Sequence, residues 1–519
     1  MESLRRFSAL VGADLLERSR SRRFWVLLAL MTAATWWSFP PAGADYLVLA
    51  VNGRYRGLYS SAWIGMVVAM LSIWLSLLGF YLVRGTLVRD IETRVWQLLV
   101  ATPLTRGAYL LAKWASHMAV LLLVAAASLL VGLVAQWVRA EDRVVDLPEL
   151  VKPVLLLAVP SLALTAMFAV WFDMVPWLRR TAGNVLYFAL WIAILVVSVG
   201  SSGAQEGGAP ARVAAGAADP RGIHLVQESV RALVAPDLGE PLKPGFCMRC
   251  GLGSRTVKTF AWRNWPLGWA DIAGRLGWLV AAVAGVVLAA PWMDRAGARV
   301  GTPRQAGASG VGRRLRWLDR LLAPLQASAL GALVAAEAQR SLRLRPWWWW
   351  SAVAAAALVG AMAPTAVAAI GVLAGWMLLL DLYSRAALHE QESRTGAIVF
   401  SSVGAGRRVL LARWIMLSAL GCLVNLPALL RFLLEAPASA LALLAICVSL
   451  ASWALAFGTL LRNARAFELL ACMLAYLALN GAPALNVAVD PLRTALVHLA
   501  LLAPACALAW WGRTGLRLR

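Results

Sequence analysis

Lysine is nearly absent from this chain: Lys113, Lys152, Lys243 and Lys258 are its lysines, and none sits in a Gly-x-x-x-x-Gly-Lys-Ser/Thr context. A P-loop needs that lysine to reach the β- and γ-phosphates. The chain therefore has no such means of binding ATP, and it is not read as an enzyme. Histidine is equally sparse. His117, His224, His389 and His498 show no His-x-x-x-His or Glu-x-x-His spacing that would set two ligands on one helix face, so no metal site and no cofactor are expected in this chain. Charge of either sign is also scarce, at 14% of 519 residues against 61% hydrophobic.

The apolar residues come in blocks of about twenty, the length a helix needs to cross a bilayer. The reading is an all-α, polytopic integral membrane protein of about twelve spans, near 24–39, 62–83, 107–137, 153–172, 185–200, 271–292, 347–362, 365–384, 409–430, 437–460, 466–488 and 492–511. A net charge of +23 would suggest nucleic acid in a soluble protein. Here most of the arginine falls in the N-terminal stretch, alternate loops, the 293–345 region and the C-terminus. The positive-inside rule makes these cytoplasmic, with both termini inside a bacterial inner membrane. The basicity is topological, and no nucleic-acid partner is expected. The N-terminal "MESLRRFSALVGADLLERSRSRRF" is too charged for the apolar core of a signal peptide, so the first span is expected to be retained.

Two charged interruptions, "RDIETRVWQLLVATPLTRGAYLLAKW" (89–114) and "HEQESRTGAIVFSSVGAGRRVLLARW" (389–414), align without a gap at an offset of 300. Glu92 pairs with Glu392, Arg94 with Arg394, Lys113 with Arg413 and Trp114 with Trp414. Upstream, "LVGADLLERSRSRRFW" (10–25) matches "LVAAEAQRSLRLRPWW" (333–348) at an offset of 323. The chain reads as two parallel six-helix repeats, each with an amphipathic lead helix, two spans, a cytoplasmic insert and four further spans. The expected division is 1–293 for the first half, 294–325 for a linker rich in Gly, Ala and Arg, and 326–519 for the second half. In the first lead helix Leu4, Phe7, Val11 and Leu15 form an apolar stripe with Arg5, Arg6 and Arg18 largely off it. Such a helix is expected to lie on the inner leaflet with snorkelling arginines.

Within the first insert, Ile91, Val95, Leu98 and Leu99 share a helical face until Pro103 ends the helix. This stretch resembles the loop between the second and third spans of type-2 ABC exporter permeases, where an early Glu and then Leu-Leu-x-x-Pro-x-Ser/Thr-Arg mark a coupling helix. Glu92, Leu99, Pro103, Thr105 and Arg106 match residue by residue. Val100 replaces the second leucine of the pattern, with Leu98 supplying the pair one place earlier. The second insert keeps Glu392 and Arg394 but replaces the Leu-rich run and its proline. The resemblance implies a permease subunit that moves a substrate outward. Two separate cytoplasmic ATPase subunits, holding ATP and Mg, would drive it. The coupling residues it implies are Arg89, Asp90, Glu92, Arg94, Leu98, Leu99, Pro103, Thr105 and Arg106, with Glu390, Glu392 and Arg394 in the second copy. It names no substrate. Two other classes stay open: an ion- or proton-coupled secondary transporter, which also has parallel six-span halves, and a non-transporting membrane assembly protein.

The longest outward segment, about 201–270, opens with a composition that cannot bury a core, "GSSGAQEGGAPARVAAGAADPRG", and is expected to be mobile there. Its end, "FAWRNWPLGW", is expected at the outer interface, where tryptophans anchor spans, and leaves contact with an outward partner open. Cys247 and Cys250 lie in this segment. An oxidising compartment would permit a disulfide between them.

Overall fold

The computed structural model describes residues 2–41, 44, 46–51, 55–92, 105–139, 141–179, 181–200, 219–234, 250–251, 257–265, 267–293, 316–343, 345–393, 395–401, 404–480, 482 and 484–512. The chain divides into two compact units, Met1–Pro303 and Arg304–Arg519. Both are helical, and the strands are short pairs in the first unit.

In the first unit α1 (Glu2–Ser19) and α2 (Arg22–Trp37) are separated by a turn at which Ser21 caps α2, its side chain accepting from the Phe24 amide. Helix α3 (Ser61–Val83) is apolar on every side and almost wholly buried. A helix with no polar face belongs in the middle of a bundle, and α5 (Arg106–Arg139) and α6 (Leu147–Met174) pack around it. The turn at Arg84 and Gly85 leads into short α4 (Thr86–Glu92). Within α6, Pro153 and Pro160 flank a π-helical turn at Val154–Ala158. A missing proline amide leaves the regular ladder open to that register shift. Helices α7 (Thr181–Gly200), α8 (Ile223–Val234) and α9 (Trp269–Leu288) complete the unit.

The second unit runs α10 (Arg316–Leu322), α11 (Ala329–Leu342), α12 (Trp347–Met362), α13 (Thr365–Arg385), α14 (His389–Ser393), α15 (Gly396–Val399), α16 (Ala405–Val424), α17 (Leu426–Glu435), α18 (Pro437–Leu461), α19 (Ala464–Leu479) and α20 (Pro491–Gly512). Helix α18 is its centre. Its Ala, Ser and Gly residues allow close packing, so that a Cβ on Gly458 would lie 2.6 Å from that of Ala387.

Among the described residues, eight helices are long and apolar enough to cross a membrane, or nine if the bent pair α16 and α17 is one span. With large Leu, Val and Trp side chains exposed along α5, α9 and α20, this makes the chain a multi-pass membrane protein. Four of the twelve expected segments differ. Phe24–Trp37, Trp347–Met362 and Ala464–Leu479 form shorter helices; at 1.5 Å per residue each is shorter than a hydrocarbon core of about 30 Å. The segment at 409–430 bends by 68° between Val424 and Leu426, where Pro427 cannot supply an amide to a continuing ladder.

The long segment after α7 also departs from expectation. Asp219 to Val230 is buried apart from half-buried Glu228, and most of that stretch is α8. The polar composition upstream had hidden an amphipathic helix. Tyr46–Leu47 pairs antiparallel with Cys250–Gly251, and Tyr55–Gly57 pairs parallel with Lys258–Phe260, tying the loop after α2 to this segment. Trp262 and Trp265 are buried against protein rather than lying at a lipid interface, because Trp63 offers Phe260 and Trp262 an aromatic partner. Cys247 and the side chain of Cys250 lie outside the described residues. Cys422, Cys447, Cys472 and Cys506 are free.

Candidate functional site: a charged node in each unit

In the first unit the Lys113 ammonium, on α5, lies between two carboxylates. It donates to Asp14 of α1 at 2.9 Å to both oxygens, and meets Asp90 of α4 at 2.7 Å. Tyr109 donates to the same Asp90 carboxylate at 2.6 Å, and Ser116 donates to Asp14 at 3.1 Å. The lysine side chain is 7% exposed. A buried ammonium is tolerated only when paired and hydrogen-bonded, and each of its partners comes from a different element. The node therefore ties the lead helix and the start of the insert to one long membrane helix. Arg89 and Glu17 form a second, exposed pair between α4 and α1.

The second unit builds the same arrangement from different residues. Arg413 of α16 donates to Glu337 of α11 at 3.1 and 2.9 Å and pairs with Glu390 of α14. Arg340 approaches Glu390 at 3.6 Å. Burial opposes charge on Glu390, but the hydrogen bond and charge of Arg413 outweigh it and hold that carboxyl below its usual range. Burial pushes the neighbouring His389 imidazole down to about 4, and the nearby Arg340 and Arg413 cations add to the effect. Lys113 and Arg413, and Asp90 and Glu390, are separated by the 300-residue offset, while Asp14 and Glu337 stand at the 323-residue offset of the lead segments.

Further contacts brace the first insert. Gly85 at φ 97° turns the chain out of α3, and its amide donates to Asp173 at 2.7 Å, while Arg84 bonds Asn184, Leu178 and Asp173. Arg18, expected to snorkel at the lipid surface, is instead buried and donates to the Val83 carbonyl at 3.3 Å and Thr86 at 3.2 Å. Burial pulls its pKa down to about 10 against the pull of Asp14, Asp173 and Asp90. The Thr86 hydroxyl also meets His117 at 3.1 Å, which gives that span histidine a local structural partner.

Of the coupling residues expected from sequence, Asp90 and Glu390 are central to the nodes and Arg89 is on the rim. Thr105 accepts the Ala108 amide at 3.2 Å and so caps α5, whose first residue is the exposed Arg106. The backbone of Glu92 ends α4, but its side chain, with those of Arg94, Leu98, Leu99, Pro103, Glu392 and Arg394, lies outside the described residues. In the second insert Phe400 packs inward on Ala405 and Val409, whereas Ile398 is 77% exposed. Asp14 and Glu337 had not been singled out. Their place in the matched lead segments, each an acid amid apolar and basic residues, was the available signal.

No family model, curated protein or solved structure matches this chain. Among the described residues no group of three or more His, Cys, Asp or Glu could hold a metal ion.

Proposed function

We propose that the chain is the two-half permease of a type-2 ABC exporter, a tandem duplication whose cytoplasmic inserts take up the stroke of separate ATPase subunits and move a substrate outward across the inner membrane. The observation that supports this most is the pair of nodes: in each unit an acid–base–acid cluster joins the lead helix and the insert to the helix that follows the insert. A force applied to an insert would then act on a membrane helix through a short, buried ionic link rather than through a slack loop. The exposed Ile398 beside Val399 is an apolar face of the kind such a docking contact requires.

A second reading, ion-coupled transport, draws support from Asp173 and Glu468, both buried near helix ends. Intramembrane carboxylates of that sort relay protons in other transporters. The two readings separate on the energy source.

The direct test replaces Leu98 and Leu99 together with Asp, which puts two charges into the presumed docking face at the cost of an unpaired buried charge. The permease should insert normally but lose a co-purifying ATPase or its coupled hydrolysis. The matching change at Ile398 and Val399 should do less, because the second insert lacks the Leu-rich run. Full ATP-driven turnover in the first variant would refute coupling through this insert, and transport driven by a proton gradient without ATP would favour the second reading.

A further inference from the structure

The turn from Asp219 to Gly222 carries an arginine into the interior of the first unit. Asp219 accepts the backbone amides of Arg221 at 3.0 Å and His224 at 2.7 Å, its carbonyl accepts from Arg275, and Gly222 adopts φ +76°, which side-chain-bearing residues rarely do. This construction holds Arg221 5% exposed, its guanidinium over the Trp191 ring at 5.1 Å. Ser76, which it meets at 3.3 Å, lies seven residues before the end of α3 at Val83, roughly 10 Å along the helix. Trp191, whose carbonyl accepts from Arg221 at 3.3 Å, is midway along α7. The arginine therefore stands at the depth of the hydrocarbon core, where a cation is costly and a functional role is the default reading.

A cavity opens against it, lined by Ser76, Ser161, Thr165, Tyr187 and Trp191 among others, and of all its lining residues Arg221 alone is charged. The hydroxyls of Ser76, Thr165 and Tyr187 donate to helix carbonyls and keep the walls polar. The acceptors that Arg221 meets beside this cavity are neutral and at 3.3 Å, longer than the 2.7–2.9 Å typical of charge-assisted bonds. An oxygen of an anion entering the cavity would replace them with such bonds, and a planar guanidinium suits a bidentate oxoanion.

We propose that this cavity binds an oxoanionic group, a carboxylate or phosphate, of the molecule the protein exports, with Arg221 as its charged partner. The identification as substrate rests on the exporter reading, but the binding itself does not. The test uses the purified full-length chain in neutral detergent, without ATPase or gradient, so that a wrong choice of motor leaves the result unaffected. Inorganic phosphate and decanoate are titrated calorimetrically against decyltrimethylammonium, and nanodiscs of phosphatidylcholine with and without phosphatidylglycerol separate a free anion from a lipid headgroup. We expect saturable binding of an anion and none of the cation, weakened about tenfold by Arg221→Gln and partly restored by Arg221→Lys. Leu164→Phe, which fills the cavity and leaves the arginine in place, should weaken it similarly, and this variant carries the test if Arg221→Gln does not fold. Arg275→Gln, which removes a buried guanidinium outside the lining, should leave it unchanged. Displacement of decanoate by phosphatidylglycerol would assign the site to a lipid. Absence of saturable anion binding, equal binding of the cation, or full affinity in the folded Arg221 and Leu164 variants would overturn the proposal.

Discussion

A basic side chain held between two carboxylates is most sensitive to loss of the base. Removing Lys113 would leave Asp14 and Asp90 facing each other with side chains only 16% and 19% exposed, so Lys113→Met should cost about 3–5 kcal/mol. Lys113→Arg should cost far less, because the second unit places Arg413 in the same role. Thermal melting of the purified protein would distinguish the two. Asn at both positions 14 and 90 should partly rescue Lys113→Met by removing the stranded charges. The second node adds a pH dependence. His389 has a folded-state pKa of about 4 against an ordinary 6.5, because burial and two nearby arginines disfavour its charged form. The unfolded chain therefore takes up a proton that the folded chain refuses. The associated stability is fully present above pH 6.5 and is lost as the pH falls toward 4. Glu390, held below its usual range, loses its contribution in the same direction, as acid removes the charge that Arg413 binds. Melting temperatures should fall between pH 7 and pH 4.5, and His389→Gln should flatten the upper part of that slope. An unchanged slope would mean that the imidazole is accessible to protons in the folded state.

Between elements, the close approaches are made at glycines. A Cβ on Gly65 of α3 would stand 2.1 Å from the Leu150 carbonyl oxygen of α6, and a backbone atom cannot yield as a side chain can. Gly65→Ala should therefore destabilise the first unit by about 1–3 kcal/mol despite the better helix propensity of alanine. Gly107→Ala, in α5, meets nothing within 4 Å and should be neutral or slightly stabilising, measured in the same melts. If the two variants melt alike, the contact between α3 and α6 is looser than the distance implies. The apolar blocks and the helix-ending prolines were readable in the sequence. The 68° break at Asn425 and the burial of α8 were less so, since periodicity reports which residues are apolar but not which neighbour covers them.

For the molecule as a whole, the expected topology follows from the arginine distribution and places both termini and the linker on the cytoplasmic side. A cysteine introduced by Ser309→Cys should resist an impermeant thiol reagent in intact cells and react after permeabilisation. Labelling from outside would reverse the orientation and remove both inserts from any cytoplasmic ATPase.

Composition and spacing alone determined that this is a helical, multi-pass membrane protein, because lipid admits long apolar segments whose backbone polar groups are satisfied internally. They also marked Asp90 and Glu390 and aligned Lys113 with Arg413. Tertiary structure decided which charges meet. Asp14 lies 99 residues from Lys113, and Glu337 lies 76 from Arg413. No local pattern encodes such pairs, since an ion pair depends on separation in space while periodicity records separation along the chain. The same reason separates Arg221 from Ser76, 145 residues away in sequence and 3.3 Å away in the fold.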